Sequence, residues 1–274
     1  MELLAPADPM RWHLIAVCAG TMALFVLVYV PGPDRRVFPG RFPLKHAGGH
    51  ARESFTAIAS RLGTDKVGSH SYQHFYETHL QPLRDRNIRL MEIGLGCLMS
   101  YGPGVSFQVW REFLPQAKLI YLEYDEICAN EWRPKIESAG ATLYTGDQSN
   151  KTLLQQIVLL EGENGLDVII DDGGHTMQQQ LTSLQVLWEI IRPGGFYVVE
   201  DLITSYSHDY GGGPPGAPST TISYVKSLLD FLICQDADDA HQPLPFCEDK
   251  RQSLQNLLSF HCFSGLCAFF KATS

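Results

Sequence analysis

The 274-residue sequence has few charged residues and no excess of basic ones. Charged side chains make up 19% of the chain, and 30 acidic residues outnumber 21 basic ones, for a formal net charge of −9. A protein that binds nucleic acid needs a basic face to neutralise phosphates, so this balance argues against that class. Apolar residues supply 45% of the chain, enough for a sizeable core in one domain with additional segments.

Closely spaced cysteine pairs are also missing. The seven cysteines are scattered, their number is odd, and no two of them form a C-x-x-C pair. This pattern is not typical of a zinc site or of a disulfide framework. It predicts reduced, mostly buried thiols.

One long stretch near the N-terminus, residues 12–30, lacks charge altogether. At helical rise its length spans about the 30 Å hydrocarbon core of a bilayer. A cleaved signal peptide is the alternative, but the charged region before the run is weak and no small-residue cleavage site is evident. Basic residues follow within 31–52. The positive-inside rule therefore predicts a single-pass membrane helix with the main domain on the cytosolic side.

From residue 88 onwards, apolar strand-like runs alternate with segments of helical periodicity. The pattern predicts strands at 88–93, 118–124, 142–144, 166–170 and 196–199, and helices at 106–114, 128–139, 151–160, 177–191 and 221–234. Two helices, 53–62 and 71–83, are expected upstream, and a hairpin over 257–271 closes the chain. Such alternation is typical of an α/β fold with a parallel sheet and right-handed crossovers.

The two most informative strands are those that end in acidic residues. Asp167–Asp172 and Val198–Asp201 begin as Val- and Ile-rich runs, typical of strands buried on both faces. Burying an unpaired carboxylate costs several kcal/mol. The acids are therefore expected at the carboxyl edge of the sheet, where ligands bind in open α/β folds. Glu200-Asp201 alone would be typical of a solvated strand end, but Asp172 and His175 nearby favour a site.

Glycines and acids also mark the ends of the first three strands. Gly94 and Gly96 follow the first strand, Glu123 ends the second, and Gly146-Asp147 follows the third. Glycines allow close approach of a ligand, and an acid after the second strand can bind the two hydroxyls of a ribose. NAD is disfavoured because Met99 occupies the third glycine position of G-x-G-x-x-G. The layout predicts another nucleoside-bearing cofactor.

Taken together, the motifs resemble those of class I S-adenosylmethionine (SAM)-dependent methyltransferases. They are E-I-G-x-G, an acid after the second strand, G-D, D-V-I-I-D-D-G-x-H and P-G-G-x-Y-V-V-E-D-L. More narrowly, the sequence is similar to the metal-dependent macrolide sugar O-methyltransferases of the mycinamicin and macrocin type. The similarity covers about residues 60–206 and includes Gly63-Thr-Asp-Lys66 and Tyr72-x-x-Phe75-Tyr76-Glu77. Residues 207–250 do not match, and their Gly- and Pro-rich part, 207–220, is expected to form a lid or substrate wall.

The resemblance implies a set of site residues. Contacts with SAM are expected from Glu92, Gly94, Gly96, Glu123, Asp147 and Asp171. Glu92 would suit the cofactor's amino group and Glu123 its ribose, whereas Asp171 has a structural role or a helix N-cap as its alternative. Mg²⁺ would be bound by Asp172, Glu200 and Asp201, because carboxylates suit a hard cation. His175 would be the general base, since histidine titrates near neutral pH.

The sequence as a whole predicts a membrane-tethered, Rossmann-like class I methyltransferase. Its expected parts are a tail (1–11), a transmembrane helix (12–30), a juxtamembrane linker (31–52) and a methyltransferase domain (53–274). The expected reaction is O-methylation of a small, natural-product-like molecule with SAM and Mg²⁺. Two alternatives remain open: N-methylation of an amine or peptide natural product, and an inactive membrane-tethered binding protein on the same fold.

Overall fold

The computed structural model describes the backbone of residues 13–19, 22–28, 52–239 and 254–273. The contacts divide the chain into two units, Met1–Ala51 and Arg52–Ser274. Most of the predicted linker, 31–51, lies outside the described residues.

The first unit contains two strands rather than a helix. His13–Ala19 (β1) pairs antiparallel with Met22–Val28 (β2), so the prediction of a helix over 12–30 is wrong for these residues. An uninterrupted apolar run carries no periodicity that separates helix from strand, and its Val, Ile and Phe residues favour strands. Within the described part of the chain, no helix is both long and apolar enough to cross a membrane. The predicted transmembrane helix, the membrane as a partner and the cytosolic orientation are therefore not supported.

The second unit is built on a seven-stranded sheet with the order β5-β4-β3-β6-β7-β9-β8. Its strands are β3 (Arg89–Ile93), β4 (Lys118–Glu123), β5 (Thr142–Thr145), β6 (Leu166–Asp171), β7 (Ile191–Val199), β8 (Leu257–Phe263) and β9 (Leu266–Lys271). The pairs among β3 to β7 are parallel, whereas β9 runs antiparallel to both β7 and β8. The predicted parallel sheet with an antiparallel C-terminal hairpin is confirmed.

Helices cover both faces of this sheet. They are α1 (Phe55–Leu62), α2 (Gln73–Leu80), α3 (Val105–Phe113), α4 (Glu126–Ser138), α5 (Lys151–Glu161), α6 (Met177–Leu187) and α7 (Thr221–Asp239). One core cluster joins α1, α2 and α3 to the sheet through Phe55, Phe75, Tyr76 and Trp110, and a second cluster involves α5, α6 and α7. The aromatic residues of 71–83 are thus core residues.

Element boundaries differ from the predictions in a few places. Helix α7 continues to Asp239, beyond the predicted end at residue 234, and 240–250 lies outside the described residues. The predicted helix 177–191 ends earlier, as α6 is followed by a 3₁₀ turn at Trp188–Ile190. Strand β7 starts at Ile191, before the predicted start at residue 196, and includes the Pro193-Gly194-Gly195 segment.

Cysteines in the described part of the chain form disulfides, so the prediction of reduced thiols is wrong for them. Cys97 is bonded to Cys128, and Cys262 to Cys267. Cys262 on β8 and Cys267 on β9 lie opposite each other in the hairpin, where they are register partners. The first pair is 31 residues apart in the sequence. A separation of this length does not predict a disulfide from the sequence, because only the pairing of β3 with β4 brings the segments that follow these strands together.

The strand order places the predicted site residues at one edge of the sheet. Ile93 at the end of β3 is level with Asp171 at the end of β6, which is level with Val199 at the end of β7. Parallel neighbours end on the same side, so the residues that follow these strands meet there.

Candidate active site

A cavity of about 310 Å³ lies at the carboxyl edge of the sheet. Of the predicted site residues, its wall contains Gly94, Gly96, Glu123, Asp172, His175 and Asp201. Gly146 and Gln148, which follow β5, also line it. The described lining does not include Glu92, Asp147, Asp171 or Glu200. The structure thus brings the glycine loop, the acid of β4 and part of the predicted metal set around one space.

Gly94 is required by a close approach between two strand ends. Its φ is +98°, and a Cβ placed on it would lie 2.2 Å from the backbone oxygen of Asp172. Its N–H donates a hydrogen bond of 2.8 Å to the carbonyl of Leu122. A side chain at this position would therefore push apart the ends of β3 and β6, on either side of the cavity wall.

Glu123 is held rigidly at the end of β4. The side chain is 5% exposed. One oxygen accepts a hydrogen bond from the backbone N–H of Leu95 at 2.7 Å, and the other from that of Asp125 at 2.9 Å. Each carboxylate oxygen can accept more than one hydrogen bond. Glu123 can therefore still receive hydroxyl donors from a ligand in the cavity.

Glu92 lies behind the cavity, in the core. Its Oε2 accepts hydrogen bonds from Ser106 Oγ at 2.8 Å and from Trp110 Nε1 at 3.0 Å, and its Oε1 is 3.4 Å from Lys66 Nζ. Burial raises the pKa of Glu92, while the Lys66 ammonium opposes the shift. Its predicted contact with the cofactor's amino group stays a prediction, since the carboxylate is fully buried.

Asp171 has neutral protein partners for both oxygens. Oδ1 accepts a hydrogen bond from Gln148 Nε2 at 2.8 Å, and Oδ2 accepts from Ser183 Oγ at 2.6 Å and Tyr197 Oη at 3.0 Å. The residue is completely buried, which raises its pKa. These contacts favour the structural alternative over a cofactor contact for Asp171.

Asp147 faces its own loop and the neighbouring helix α6. Its Oδ1 accepts hydrogen bonds from the backbone N–H of Ser149 at 2.8 Å and from Gln179 Nε2 at 3.3 Å. Gln179 is one of the residues that line the cavity. Asp147 therefore lies one residue away from the cavity wall rather than in it.

Asp172, His175 and Asp201 form a cluster with the geometry of a cation site. One ligand atom from each lies within 4.8 Å of the others. His175 Nε2 is 3.4 Å from Asp201 Oδ2 and 3.9 Å from Asp172 Oδ1. Both His175 (φ 60°) and Asp201 (φ 52°) have left-handed backbone conformations, which are rare outside glycine. Two strained residues facing each other are typical of a functional site.

Glu200, the third predicted metal ligand, is bound by Lys66, for which the sequence predicts no role. Lys66 Nζ lies 2.9 and 2.8 Å from the two oxygens of Glu200 and 2.6 Å from Asp172 Oδ2. Tyr76 also donates a hydrogen bond to Glu200. Burial lowers the pKa of Lys66, but the carboxylates around it outweigh that effect and raise it well above its usual range. The motif Gly63-Thr-Asp-Lys66 was the available signal, although nothing in its spacing points to these acids.

Known proteins with similar sequences are sugar O-methyltransferases, although no family model matches the chain. Demethylmacrocin O-methyltransferase of Streptomyces fradiae is 32% identical over 208 residues, which cover 74% of this chain and 48% of that protein. A tetracenomycin rhamnosyl 3'-O-methyltransferase of Streptomyces olivaceus is 33% identical over 181 residues, covering 64% and 44%. The chain thus spans about half the length of the curated relatives it matches.

A solved structure shares the fold. It is the MycE methyltransferase of the mycinamycin biosynthetic pathway in complex with Mg, SAH and mycinamycin VI. The TM-score is 0.65 at 26% identity, and the match covers 82% of this chain and 57% of MycE. Sequence and fold therefore agree with the motifs read from the strand ends: over about half of their length, the chain is homologous to the O-methyltransferases named above, and it shares the fold of MycE.

Proposed function

We propose that this protein transfers a methyl group from SAM to a hydroxyl of a small glycosylated natural product, with a divalent cation and His175 as the base. The observation that carries the proposal is the position of the Asp172, His175 and Asp201 cluster. It lies in the wall of the same cavity as the glycine loop and Glu123. A methyl donor and an acceptor hydroxyl must meet in one space, and this cavity offers groups suited to each.

The relatives support oxygen as the acceptor. The named curated relatives that match the chain are all O-methyltransferases of sugar-bearing or olivosyl compounds. This favours a hydroxyl over the amine of the N-methylation alternative. The acids and histidine also argue against an inactive binding protein, because a binding role alone gives no reason for their convergence.

The donor set fits a divalent cation. Carboxylate oxygens suit Mg²⁺ and Mn²⁺, and one imidazole is compatible with Mn²⁺ as well. We propose Mg²⁺, held by Asp172 and Asp201, because the MycE structure contains Mg. A bound cation would hold the acceptor hydroxyl and lower its pKa. Glu200 stays a proposed ligand, but its carboxylate would have to be shared with Lys66 and Tyr76.

His175 would take the proton of the acceptor. Its imidazole lines the cavity, and Nε2 faces the carboxylates of Asp172 and Asp201. As the acceptor oxygen forms its bond to the methyl carbon and the carbon–sulfur bond breaks, the hydroxyl proton would pass to Nε2. The same nitrogen cannot bind a cation and accept this proton at once, so the proposal assigns it the proton.

The test uses the full chain with S-adenosylhomocysteine, Mn²⁺ or Mg²⁺, and glycosylated macrolide acceptors. For a base, His175→Ala should abolish methyl transfer while calorimetry shows unchanged binding of S-adenosylhomocysteine and of the cation. Loss of cation binding in His175→Ala would show that the imidazole is a ligand instead. The exposed His74 provides the matched control, His74→Ala, which should behave like the wild type.

Two further variants test the cation ligands. Asp172→Asn should weaken cation binding strongly, and Glu200→Gln should do so only if Glu200 is a ligand. Full activity of the wild type in excess EDTA would remove the cation from the proposal. Failure of the wild type to bind S-adenosylhomocysteine with and without cation would remove the methyltransferase activity itself.

A further inference from the structure

Asp201 adopts a backbone conformation that its surroundings must impose. Its φ is +52°, in the left-handed region that L-residues other than glycine seldom occupy. Such a conformation costs on the order of 1–3 kcal/mol and persists only where neighbouring groups over-determine it. The position of its carboxylate therefore depends on contacts outside β7.

A tyrosine hydroxyl makes two of these contacts, and His70 Nε2 lies 3.6 Å from Asp201 Oδ1. Tyr72 Oη donates a hydrogen bond of 2.9 Å to Asp201 Oδ1 and accepts one of 3.2 Å from the backbone N–H of Asp201. The same atom thus fixes both the backbone and the side chain of Asp201. With Oδ1 bound to the tyrosine, Oδ2 is the oxygen that lies 3.4 Å from His175 Nε2.

Tyr72 is itself held in place from several sides. It is 1% exposed, and its ring stacks on His70 with 4.6 Å between ring centroids. Its hydroxyl packs against Gly265 in the turn between β8 and β9, where an added Cβ would lie 2.9 Å away. The carbonyl of Gly265 in turn accepts a hydrogen bond from the N–H of Leu202, the residue after Asp201. The hydroxyl therefore has a fixed position relative to the end of β7.

Asp172 is arranged in the same way by a residue of the same upstream segment. Lys66 Nζ binds Asp172 Oδ2 at 2.6 Å, and Oδ1 is the oxygen that faces His175. In both aspartates one oxygen is occupied by the 66–72 segment and the other faces the cation site. Partners of this kind orient the ligands of a metal and change its affinity when removed.

We propose that Tyr72 is a positioning residue, which holds Asp201 so that Oδ2 faces the cation site. This inference rests on the proposed cation site. It assigns a function to the segment upstream of the sheet, since the Lys66 and Tyr72 contacts make the geometry of the site depend on residues more than 100 positions before its acids.

The test is an electron paramagnetic resonance titration of Mn²⁺ with the full chain and its Tyr72→Phe variant. Removal of the hydroxyl should raise the Kd for Mn²⁺ by about tenfold, the lower end of the effect of such partners. Tyr197→Phe is the matched control. Tyr197 is also fully buried and donates a hydrogen bond to a carboxylate, but to Asp171, which lies outside the cluster. Its Kd for Mn²⁺ should stay within about twofold of the wild-type value.

Calorimetry with S-adenosylhomocysteine and thermal unfolding of all three proteins complete the experiment. Cofactor affinity should be the same in the three proteins, and the two variants should lose similar stability. A Tyr72→Phe protein that binds Mn²⁺ as tightly as the wild type would overturn the inference. Equal weakening in both variants would also overturn it, as it would indicate general loosening of the sheet edge. If the wild type binds no Mn²⁺, the cation site of the proposed function is wrong, and the inference about Tyr72 is wrong with it.

Discussion

Lys66 Nζ lies 2.9 and 2.8 Å from the two carboxylate oxygens of Glu200, and both side chains are 1% exposed. Their positions in the sequence are 134 residues apart. The ammonium is also 2.6 Å from Asp172 and 3.4 Å from Glu92. One buried ammonium therefore contacts three carboxylates from the ends of three neighbouring strands, which keeps the acids of the site together before any ligand binds.

Removal of this ammonium should destabilise the fold strongly. Lys66→Met would leave buried acids uncompensated, and breaking a buried ion pair from one side costs about 3–5 kcal/mol. The free energy of unfolding in urea measures the loss. Lys151→Met, at an exposed position on α5, is the control and should change stability by less than about 0.5 kcal/mol. Similar stability of the two variants would contradict the compensating role of Lys66.

Gly94 should be essential for cofactor binding because of the close approach that it allows. Gly94→Ala would place a Cβ 2.2 Å from the backbone oxygen of Asp172, so the cavity wall must move. We expect the affinity for S-adenosylhomocysteine, measured by calorimetry, to fall at least about tenfold, since 1.4 kcal/mol is enough for that change.

Gly140 offers a control that separates backbone strain from this contact. Its φ of +78° is also left-handed, but no described atom lies within 4 Å of where its Cβ would be. Gly140→Ala should cost about 1–2 kcal/mol of stability and leave cofactor affinity unchanged. If Gly94→Ala binds the cofactor like Gly140→Ala, the close approach does not shape the cavity.

The Cys97–Cys128 disulfide should stabilise both the fold and the cofactor cavity. It closes a segment of 31 residues, and the loss of such a crosslink costs about 3–4 kcal/mol in the chain-entropy account. Cys97 also lines the cavity. A Cys97→Ser/Cys128→Ser protein should therefore unfold at lower urea concentration and bind S-adenosylhomocysteine more weakly.

The hairpin disulfide provides the comparison. Cys262 and Cys267 are 5 residues apart, so replacing both with serine should cost roughly 1–2 kcal/mol less than replacing the longer crosslink. Neither residue is in the described cavity wall, and cofactor affinity should be unchanged. Equal cofactor affinity of both double variants would show that the glycine loop keeps its shape without the Cys97–Cys128 bond.

Stability should fall as the pH drops below neutrality, in part through His79. Burial among Phe75, Phe196 and Phe270 lowers the pKa of His79 from its ordinary 6.5, and the nearby His261 lowers it further. Above pH 6.5 the imidazole is neutral in both states. As the pH falls below that value the unfolded chain takes up the proton first, so the free energy of unfolding decreases until the folded protein is protonated too.

Urea unfolding at about pH 7.5 and pH 5.5 tests the effect. The decrease on acidification should be smaller in His79→Gln than in the wild type. His74→Gln, at an exposed position earlier on α2, should keep the full decrease. The same pH dependence in all three proteins would assign the acid sensitivity to other groups.

Much of the fold follows from local patterns. The alternation of apolar strands with helical segments from residue 88 predicts the parallel sheet, and the acids after β6 and β7 mark its ligand-binding edge because parallel strands end on one side. For the same reason Glu123, Asp172, His175 and Asp201 could be named from the sequence, and the structure places all four in one cavity wall. Their roles as ribose contact, metal ligands and base remain proposals.

What only the tertiary structure decides is the partner of each group. The apolar run near the N-terminus forms strands β1 and β2, because an apolar run has no periodicity that selects a helix. Asp171 and Asp172 are adjacent in sequence, yet Asp171 at the end of β6 accepts hydrogen bonds from Ser183 and Tyr197, whereas Asp172 after the strand binds Lys66. The ends of strands can be predicted from the sequence because the apolar pattern of a strand involves only neighbouring residues. A contact across 106 or more residues, such as that of Lys66 with Asp172, forms only once the sheet has formed.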